Sequence, residues 1–260
     1  MKQARFNMAR GNNVQGPTNE VGTKIVTSAS DIEGLFDACR VVLFDCDGVL
    51  VNSEPISLAT LVDVLEHFGA PLSLAEVSDR FTGRSSSAPI EYIKDQTGQD
   101  VTAAFKPYYY EMLFARYDRD LTKIDQIDDV LAALRARDIA FCISSSSSVE
   151  RLEKTMQVTG LGPWFEGRVY SADFVQNGKP APDLFLHAAD GMGHAPEHTI
   201  VIEDSVAGVT AAQAAGMKCI GFVGGGHYAD DRETASQRLY AAGADIVIDD
   251  MANLAKAIPA

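Results

Sequence analysis

The sequence predicts an α/β fold in which a doubly wound parallel sheet carries a small α-helical insertion. From residue 41 onward, short apolar segments alternate with longer amphipathic segments. Strands that are apolar throughout are typical of a parallel sheet covered by helices on both faces. One region, 53–122, contains helical patterns without a strand-like segment. We interpret it as a separate helical unit inserted after the first strand.

The composition is that of a globular protein. The chain has 260 residues, of which 46% are hydrophobic and 22% charged, which suits one large or two small domains. A net charge of −14 disfavours nucleic acid and anionic lipid as partners. No segment approaches the 18 consecutive apolar residues of a membrane span. Because no C-x-x-C pair occurs, we expect reduced, buried thiols in a cytoplasmic protein at Cys39, Cys46, Cys142 and Cys219.

Residues 1–38 are interpreted as an N-terminal extension that is partly disordered. Its first 22 residues are polar and lack both periodicity and the apolar segment of a secretory signal. A short helix is expected at Asp31–Ala38, capped by Ser30 or Asp31. The domain boundaries that follow are 39–52 and 123–260 for the α/β core and 53–122 for the helical insertion.

The core is expected to contain six strands and five main helices. The strands are Val41–Asp45, Ile139–Ile143, Val169–Ser171, Thr199–Ile202, Cys219–Val223 and Asp245–Ile248. The helices are Asp125–Arg137, Val149–Thr159, Pro182–Gly191, Val206–Ala215 and Asp230–Ala241. Gly216 is expected to end the fourth of these helices in a left-handed conformation.

Polar side chains follow several of the predicted strands at the point where each strand ends. They are Asp45 and Asp47, the serine run 144–148, and the pair Glu203 and Asp204, with Lys179 in a loop before Pro180. Each has a plain structural explanation when taken alone, such as a turn or a helix cap. Because ligands bind beyond the carboxyl ends of parallel strands, their joint occurrence favours a functional site.

Asp45 and Asp47 are separated by one residue, Cys46, at the end of a predicted buried strand. Two like charges about 4 Å apart repel by roughly 4 kcal/mol at an effective dielectric constant of about 20. A bound cation, a raised pKa on one carboxyl group, or exposure in a loop would offset this repulsion.

The residue types fit phosphoryl transfer. A carboxylate can accept a phosphoryl group as an aspartyl-phosphate, and Mg²⁺ prefers carboxylate oxygens, water and phosphate as ligands. Lysine and hydroxyl donors would hold the remaining phosphate oxygens. A second carboxylate would protonate the leaving oxygen and then activate water. The sequence therefore predicts a Mg²⁺-dependent enzyme that acts on phosphate esters.

Four segments resemble the motifs, in order, of the haloacid dehalogenase superfamily: FDCDGVLVNSEP, the serine run, GKPAPDLF and VIEDSVAGVTAA. The position of the insertion is similar to that in the β-phosphoglucomutase-like and phosphoglycolate phosphatase-like branch. The resemblance implies a Rossmann-like core with an α-helical cap domain. It also implies a phosphatase that hydrolyses a small phosphorylated metabolite, such as a sugar phosphate or a phosphoglycolate-like compound, through an aspartyl-phosphate.

The resemblance assigns a role to each acidic residue. Asp45 would be the nucleophile and a Mg²⁺ ligand, and Asp47 the general acid and base whose backbone carbonyl also binds the metal. Lys179 would pair with the nucleophile and the phosphate. Glu203 and Asp204 would complete the metal site.

Substrate contacts are less sharply defined by the motifs. The spacing within the serine run favours Ser145 for the phosphate, with Ser147 as the second choice, and Ser144 would then end the strand. A register in which Ser144 itself binds the phosphate is the alternative. In the insertion, RFTGRS is expected to face the site, which makes Gly83 and Arg84 candidate substrate contacts. Pairing of Arg84 with a surface acid is the alternative.

Two other functions are considered beside the phosphatase. A phosphosugar mutase of this branch carries a histidine and an arginine where Ser57 and Ser86 stand here, which favours the hydrolase. A catalytically silent binding protein on the same fold is expected to lack the aspartates or the Glu203 and Asp204 pair. The expected partner is a small phosphorylated metabolite, with no nucleic acid or membrane, and the chain is expected to be a monomer or homodimer.

Two further residues near the motifs receive structural interpretations. Asn52 is expected to form hydrogen bonds within its own turn. His227 follows the glycines 224–226, and we expect it to be solvated, with a place at the rim of the site as the alternative.

Overall fold

A computed structural model describes residues 24–81 and 87–258. Within these ranges, six parallel strands form one sheet in the order β3-β2-β1-β4-β5-β6. They are β1 Val41–Phe44, β2 Ala140–Ser145, β3 Val169–Ser171, β4 Thr199–Glu203, β5 Lys218–Phe222 and β6 Ile246–Ile248. The predicted α/β fold with a parallel sheet is confirmed.

The reversal of strand order places a crevice beside β1. The chain moves outward from β1 to β2 and β3, then returns to the other side of β1 to form β4, β5 and β6. Phe44, the last residue of β1, is in register with Ile143 of β2 and Ile202 of β4. The residues that follow these three therefore emerge together at the carboxyl edge, which is where open α/β sheets bind ligands.

Helices cover both faces of the sheet. They are α1 Ala29–Glu33, α6 Ile127–Ala136, α7 Val149–Thr159, α8 Gly162–Phe165, α9 Asp183–Gly191, α10 Val206–Ala214, α11 Arg232–Ala242 and α12 Met251–Ala257. Side chains of β1 alternate between the two faces. Val42 and Phe44 pack in the apolar cluster that includes residues of α6 and α12, whereas Val41 and Leu43 pack with residues of α9, α10 and α11.

The predicted core elements agree with the structure to within about two residues at each end. Gly216 lies just beyond α10 with φ +71°, as expected for a left-handed residue after a helix. A short helix is present in the region where the first helix was predicted, but the predicted bounds and cap were wrong. The helix begins at Ala29 after Ser28 and gives way to a 3₁₀ turn at Gly34–Phe36. Ile32 and Phe36 are both buried in the core, and their packing determines where the helix and the 3₁₀ turn lie.

The insertion consists of four helices with an apolar cluster of its own. The helices are α2 Glu54–His67, α3 Leu74–Phe81, α4 Ala88–Thr97 and α5 Thr102–Asp120. Buried residues from all four helices contribute to the cluster, among them Leu61, Val77, Ile93 and Phe105. The two connections to the core lie side by side, since the Asn52 amide donates a hydrogen bond to the Thr122 carbonyl at 2.9 Å. We call this unit the cap.

Two expectations from the composition concern cysteines and membranes. The four cysteines are free thiols and are buried, as predicted. No helix in the described ranges combines the length and the apolar character that crossing a bilayer requires.

We expect the Leu43→Ala variant to lose roughly 2–5 kcal/mol of unfolding free energy. Leu43 is fully buried on the central strand, so that alanine would leave a cavity between the sheet and its helices. Leu186→Ala is the control, because Leu186 on α9 is 40% exposed. Urea denaturation measures both variants, and equal losses would contradict the central position of β1.

Candidate active site

Three carboxylates meet at the carboxyl ends of β1 and β4. Asp45 follows β1, Glu203 is the last residue of β4, and Asp204 comes next. Oxygen atoms from the three side chains lie within 4.8 Å of one another, and all three residues are buried. The Asp45 amide extends the β1–β4 ladder by donating a hydrogen bond to the Ile202 carbonyl at 3.0 Å. The sheet itself thus places Asp45 beside Glu203.

Lys179 is the cation of this cluster. Its Nζ donates to Asp45 Oδ1 at 2.6 Å, to Glu203 Oε1 at 2.7 Å and to the Ser144 carbonyl at 3.1 Å. The side chain is 4% exposed. Burial alone lowers the pKa of the Lys179 ammonium, but the Asp45 and Glu203 carboxylates outweigh that effect and raise the pKa. Lys179 is therefore charged at neutral pH.

The cluster carries an excess of negative charge, because three carboxylates face one ammonium group. Burial raises the pKa of the Asp45 carboxyl well above its usual range, opposed by Lys179 and reinforced by Glu203 and Asp204. Burial and the Glu203 charge likewise raise the pKa of Asp204. A divalent cation would offset the two surplus charges. The donor set fits Mg²⁺, which prefers carboxylate oxygens, and Asp45, Glu203 and Asp204 are the side chains that would hold it.

The start of α10 fixes the Glu203 carboxylate. Its Oε2 accepts hydrogen bonds from the Ser205 amide at 2.6 Å and the Ser205 hydroxyl at 2.9 Å. Ser205 in turn caps α10 by accepting a bond from the Gly208 amide at 3.0 Å. A Cβ atom at Gly208 would lie 1.8 Å from Glu203 Oε1. Only glycine therefore lets the helix approach this carboxylate so closely.

Asp204 is covered by the loop after β5, and this overturns two expectations. His227 is not solvated: its side chain is 9% exposed, and Nε2 lies 3.2 Å from Asp204 Oδ2. Burial lowers the pKa of His227, so that the ring is neutral at neutral pH. Within the described part of the chain, the Asn52 side chain forms its hydrogen bond outside its own turn: Oδ1 accepts from the Gly226 backbone amide at 2.9 Å. Asn52 thus ties this loop to the start of the cap.

Asp47 belongs to a second ion network. Its Oδ1 accepts hydrogen bonds from the Ser53 hydroxyl and, at 2.7 Å, from Arg151 Nη2, and its Oδ2 accepts from the Ser147 hydroxyl. Burial raises the pKa of Asp47, but the Arg151 charge and these hydrogen bonds outweigh it and hold the pKa below its usual value. Asp45 and Asp47 are thus each paired with a different cation, Lys179 for Asp45 and Arg151 for Asp47.

Arg151 is the main residue of this site that the sequence analysis missed. In the sequence, the segment around Arg151 predicts only the helix Val149–Thr159. Arg151 lies in the first turn of α7, after Ser148, whose hydroxyl caps the helix by accepting from the Arg151 amide at 3.4 Å. A basic residue in the first turn of a helix interacts unfavourably with the helix dipole. This unfavourable placement was the one local sign in the sequence that Arg151 has a role other than forming the helix.

The serine candidates have different surroundings. The Ser145 Oγ accepts a hydrogen bond from the Ser147 amide at 3.1 Å, and the Ser147 hydroxyl donates to Asp47. The Ser144 hydroxyl is buried and has no hydrogen-bond partner in the described ranges. The assignment of the phosphate to Ser145 stays a prediction. Gly83 and Arg84 lie outside the described residues.

Comparison with known proteins gives one consistent family. A model of the haloacid dehalogenase-like hydrolases matches residues 42–222. SUPPRESSOR OF QUENCHING 1, a chloroplastic protein of Arabidopsis thaliana, is 31% identical over 88% of this chain, which spans 21% of that protein's length. The 6-phosphogluconate phosphatase of Escherichia coli is 30% identical over 72% of this chain and 84% of its own length.

A solved structure extends the similarity to three dimensions. A hydrolase of the same family from Deinococcus radiodurans, crystallised with bound phosphate and sodium, is 35% identical and superposes with a TM-score of 0.67. The similarity covers 84% of this chain and 93% of that one.

We expect Mg²⁺ to raise the melting temperature of the wild-type protein and to have little effect on the Asp204→Asn variant. An ion at 100 times its dissociation constant stabilises the folded state by about 2.7 kcal/mol. Differential scanning calorimetry with and without Mg²⁺ measures the shift. Asp190→Asn is the control, since Asp190 is an exposed carboxylate on α9. Equal Mg²⁺ effects on the two variants would show that the ion binds elsewhere.

Proposed function

This chain belongs to the haloacid dehalogenase-like hydrolase family and is a phosphoric monoester hydrolase; we propose that it hydrolyses a small sugar phosphate or phosphoglycolate-like compound with Mg²⁺. The observation that carries the proposal is the separation of two neighbouring aspartates into two networks. Asp45 lies with Lys179 and the metal-ligand candidates, whereas Asp47 is held by Arg151 and two serines. The arrangement suits a nucleophile and a proton carrier.

Asp45 is the proposed nucleophile. Its Oδ1 accepts a hydrogen bond from Lys179 Nζ at 2.6 Å. Oδ2 is thus left to attack phosphorus and form an aspartyl-phosphate. Lys179 stabilises negative charge on the nucleophile and on the phosphoryl oxygens. Asp45, Glu203 and Asp204, with the backbone carbonyl of Asp47, would hold Mg²⁺, whose charge offsets that of the phosphoryl group.

Asp47 is the proposed general acid and base. It would donate a proton to the leaving oxygen in the first step and accept one from the attacking water in the second, so that each turnover restores the proton that the next one uses. Oδ1 is held by Arg151 and Ser53. Oδ2 accepts from the Ser147 hydroxyl, which can rotate and accept a hydrogen bond instead. We therefore assign the moving proton to Oδ2.

Ser145 is the proposed hydroxyl donor to the phosphate. Its oxygen already accepts the Ser147 amide, so that the Ser145 hydroxyl proton is free to point at an anion. Ser147, the second choice, donates its own proton to Asp47. These contacts support Ser145 over Ser147, whereas the buried Ser144 hydroxyl, which has no partner in the described ranges, is equally free to donate.

Hydrolysis is favoured over phosphosugar mutase chemistry by the contacts of Ser57. This residue stands where mutases of the branch carry a histidine, and its hydroxyl accepts a hydrogen bond from Arg151 Nη2 at 3.0 Å. A serine held in this way supplies no basic group to a sugar hydroxyl. Ser86, at the position of the mutase arginine, lies outside the described residues.

The Asp45→Asn variant is expected to lose turnover by at least about 10³-fold, since the amide is a poor nucleophile. Phosphate release measures this with Mg²⁺ and a panel of 6-phosphogluconate, fructose 1-phosphate, phosphoglycolate and p-nitrophenyl phosphate. Borohydride quenching during wild-type turnover should reduce an acyl-phosphate on Asp45, which mass spectrometry would locate. Asp190→Asn is the control and should keep wild-type activity.

Two results would contradict the proposed function. Wild-type turnover by Asp45→Asn would remove the covalent mechanism. A wild-type protein that releases phosphate from none of the four compounds would overturn the substrate class.

A further inference from the structure

Arg151 joins the core of the protein to two helices of the cap. It lies on α7 of the core, and its side chain is 15% exposed. Nη2 donates to Asp47 Oδ1 at 2.7 Å and to the hydroxyl of Ser57, on α2, at 3.0 Å. Nε donates to the hydroxyl of Tyr117, on α5, at 3.0 Å. One guanidinium group thus contacts the proposed proton carrier and both long helices of the cap.

Asp47 and Arg151 depend on each other as counter-ions. Arg151 Nη2 lies 2.7 Å from Asp47 Oδ1, and an arginine guanidinium stays charged in proteins. Lys179, the other buried cation nearby, is already bonded to Asp45 and Glu203. A buried ion that loses its partner is strongly destabilised. The Asp47 carboxylate is therefore held where Arg151 lies.

The planar guanidinium makes this a directional constraint. Its N–H groups have fixed angles, and the two protons on Nη2 go to Asp47 and to Ser57. Because Ser57 lies on α2 and Asp47 lies in the core, a shift of α2 relative to the core moves the Ser57 hydroxyl relative to the Asp47 carboxylate. The orientation of the Asp47 carboxylate is thereby coupled to the position of the cap.

We propose that Arg151 is a positioning residue that fixes Asp47 Oδ1 and couples the orientation of this carboxylate to cap helices α2 and α5. The inference rests on the proposed function, in which Asp47 transfers protons. With Oδ1 fixed, Oδ2 faces Ser147 and the leaving oxygen of a substrate seated under the cap. Arg151 acts on the reaction through Asp47.

The test compares two leaving groups. An alkyl phosphate needs a proton on its leaving oxygen, whereas p-nitrophenolate leaves without one. The value of kcat/KM reports the steps up to release of the leaving group, so that hydrolysis of the aspartyl-phosphate does not affect it. Arg151→Ala should lower kcat/KM about 10²- to 10⁴-fold for 6-phosphogluconate or fructose 1-phosphate, whichever is hydrolysed faster, as expected for lost general acid catalysis. The loss for p-nitrophenyl phosphate should be at most about tenfold.

Lys154→Ala is the matched control. Lys154 is on the same helix as Arg151 and also reaches the cap, since its Nζ donates to Asp118 of α5 at 2.6 Å. This variant loses a core–cap ion pair and keeps every contact of Asp47. We expect kcat/KM within about threefold of wild type on both substrates. A selective alkyl loss in Lys154→Ala equal to that of Arg151→Ala would assign the effect to cap attachment in general and overturn the proposal.

Two more variants keep the proposal testable if Arg151→Ala is unstable. Arg151→Lys keeps the charge but replaces the planar guanidinium by one ammonium group. Like Arg151→Ala, it should lose more kcat/KM on the alkyl phosphate than on p-nitrophenyl phosphate. The double variant Asp47→Asn/Arg151→Ala should be no slower on the alkyl phosphate than Asp47→Asn alone, because both changes disable one unit. Added guanidinium ion should restore part of the alkyl activity of Arg151→Ala.

Failure of this inference differs from failure of the proposed function. Equal losses on both substrates in Arg151→Ala and Arg151→Lys, or additive losses in the double variant, would overturn the role of Arg151 while Asp47→Asn still shows the selective loss. If Asp47→Asn itself shows no selective alkyl loss, Asp47 is not the proton carrier, and the proposed function is wrong at that point.

Discussion

The excess negative charge at the carboxyl ends of β1 and β4 is the constraint on which the rest of the site depends. The parallel register of Phe44 with Ile202 brings Asp45 and Glu203 to the same edge of the sheet, and Asp204 follows by chain connectivity. Lys179 offsets one of the three charges. A divalent cation would supply the counter-charge that lets the remaining carboxylates stay ionised in a buried position, and a phosphate ester is the substrate class that such a centre would suit.

The two aspartates of the first motif are separated by a single residue, and they differ in electrostatic environment. The pKa of Asp45 is raised by burial and by neighbouring carboxylates, whereas Arg151 and hydroxyl donors hold the pKa of Asp47 down. Two buried cations, Lys179 and Arg151, thus divide the carboxylates between them. Of the three explanations that the sequence left open for the aspartate pair, two apply: each carboxylate has a cation beside it, here a protein side chain, and the pKa of one carboxyl group, that of Asp45, is raised.

The sequence predicted the sheet, the strand ends and the acidic cluster because each depends on short-range patterns. Apolar runs mark β1 and β4, and the residue after each run must emerge at the sheet edge. The partner of Asp47 could not be found this way, because Arg151 lies 104 residues along the chain and no local periodicity records the pairing. The same holds for Asn52, whose partner Gly226 is 174 residues away. His227 is buried because its loop folds back over Asp204. The position of this loop depends on the long-range hydrogen bond between Gly226 and Asn52.

A crystal structure of the protein grown with Mg²⁺ and beryllium fluoride would show both the bound ion and the group attached to the nucleophile. We expect one Mg²⁺ ion with oxygens of Asp45 and Asp204 among its ligands, and a trifluoroberyllate group on Asp45. Mg²⁺ bound away from these carboxylates, or beryllium fluoride attached to a residue other than Asp45, would contradict the proposed metal site and nucleophile.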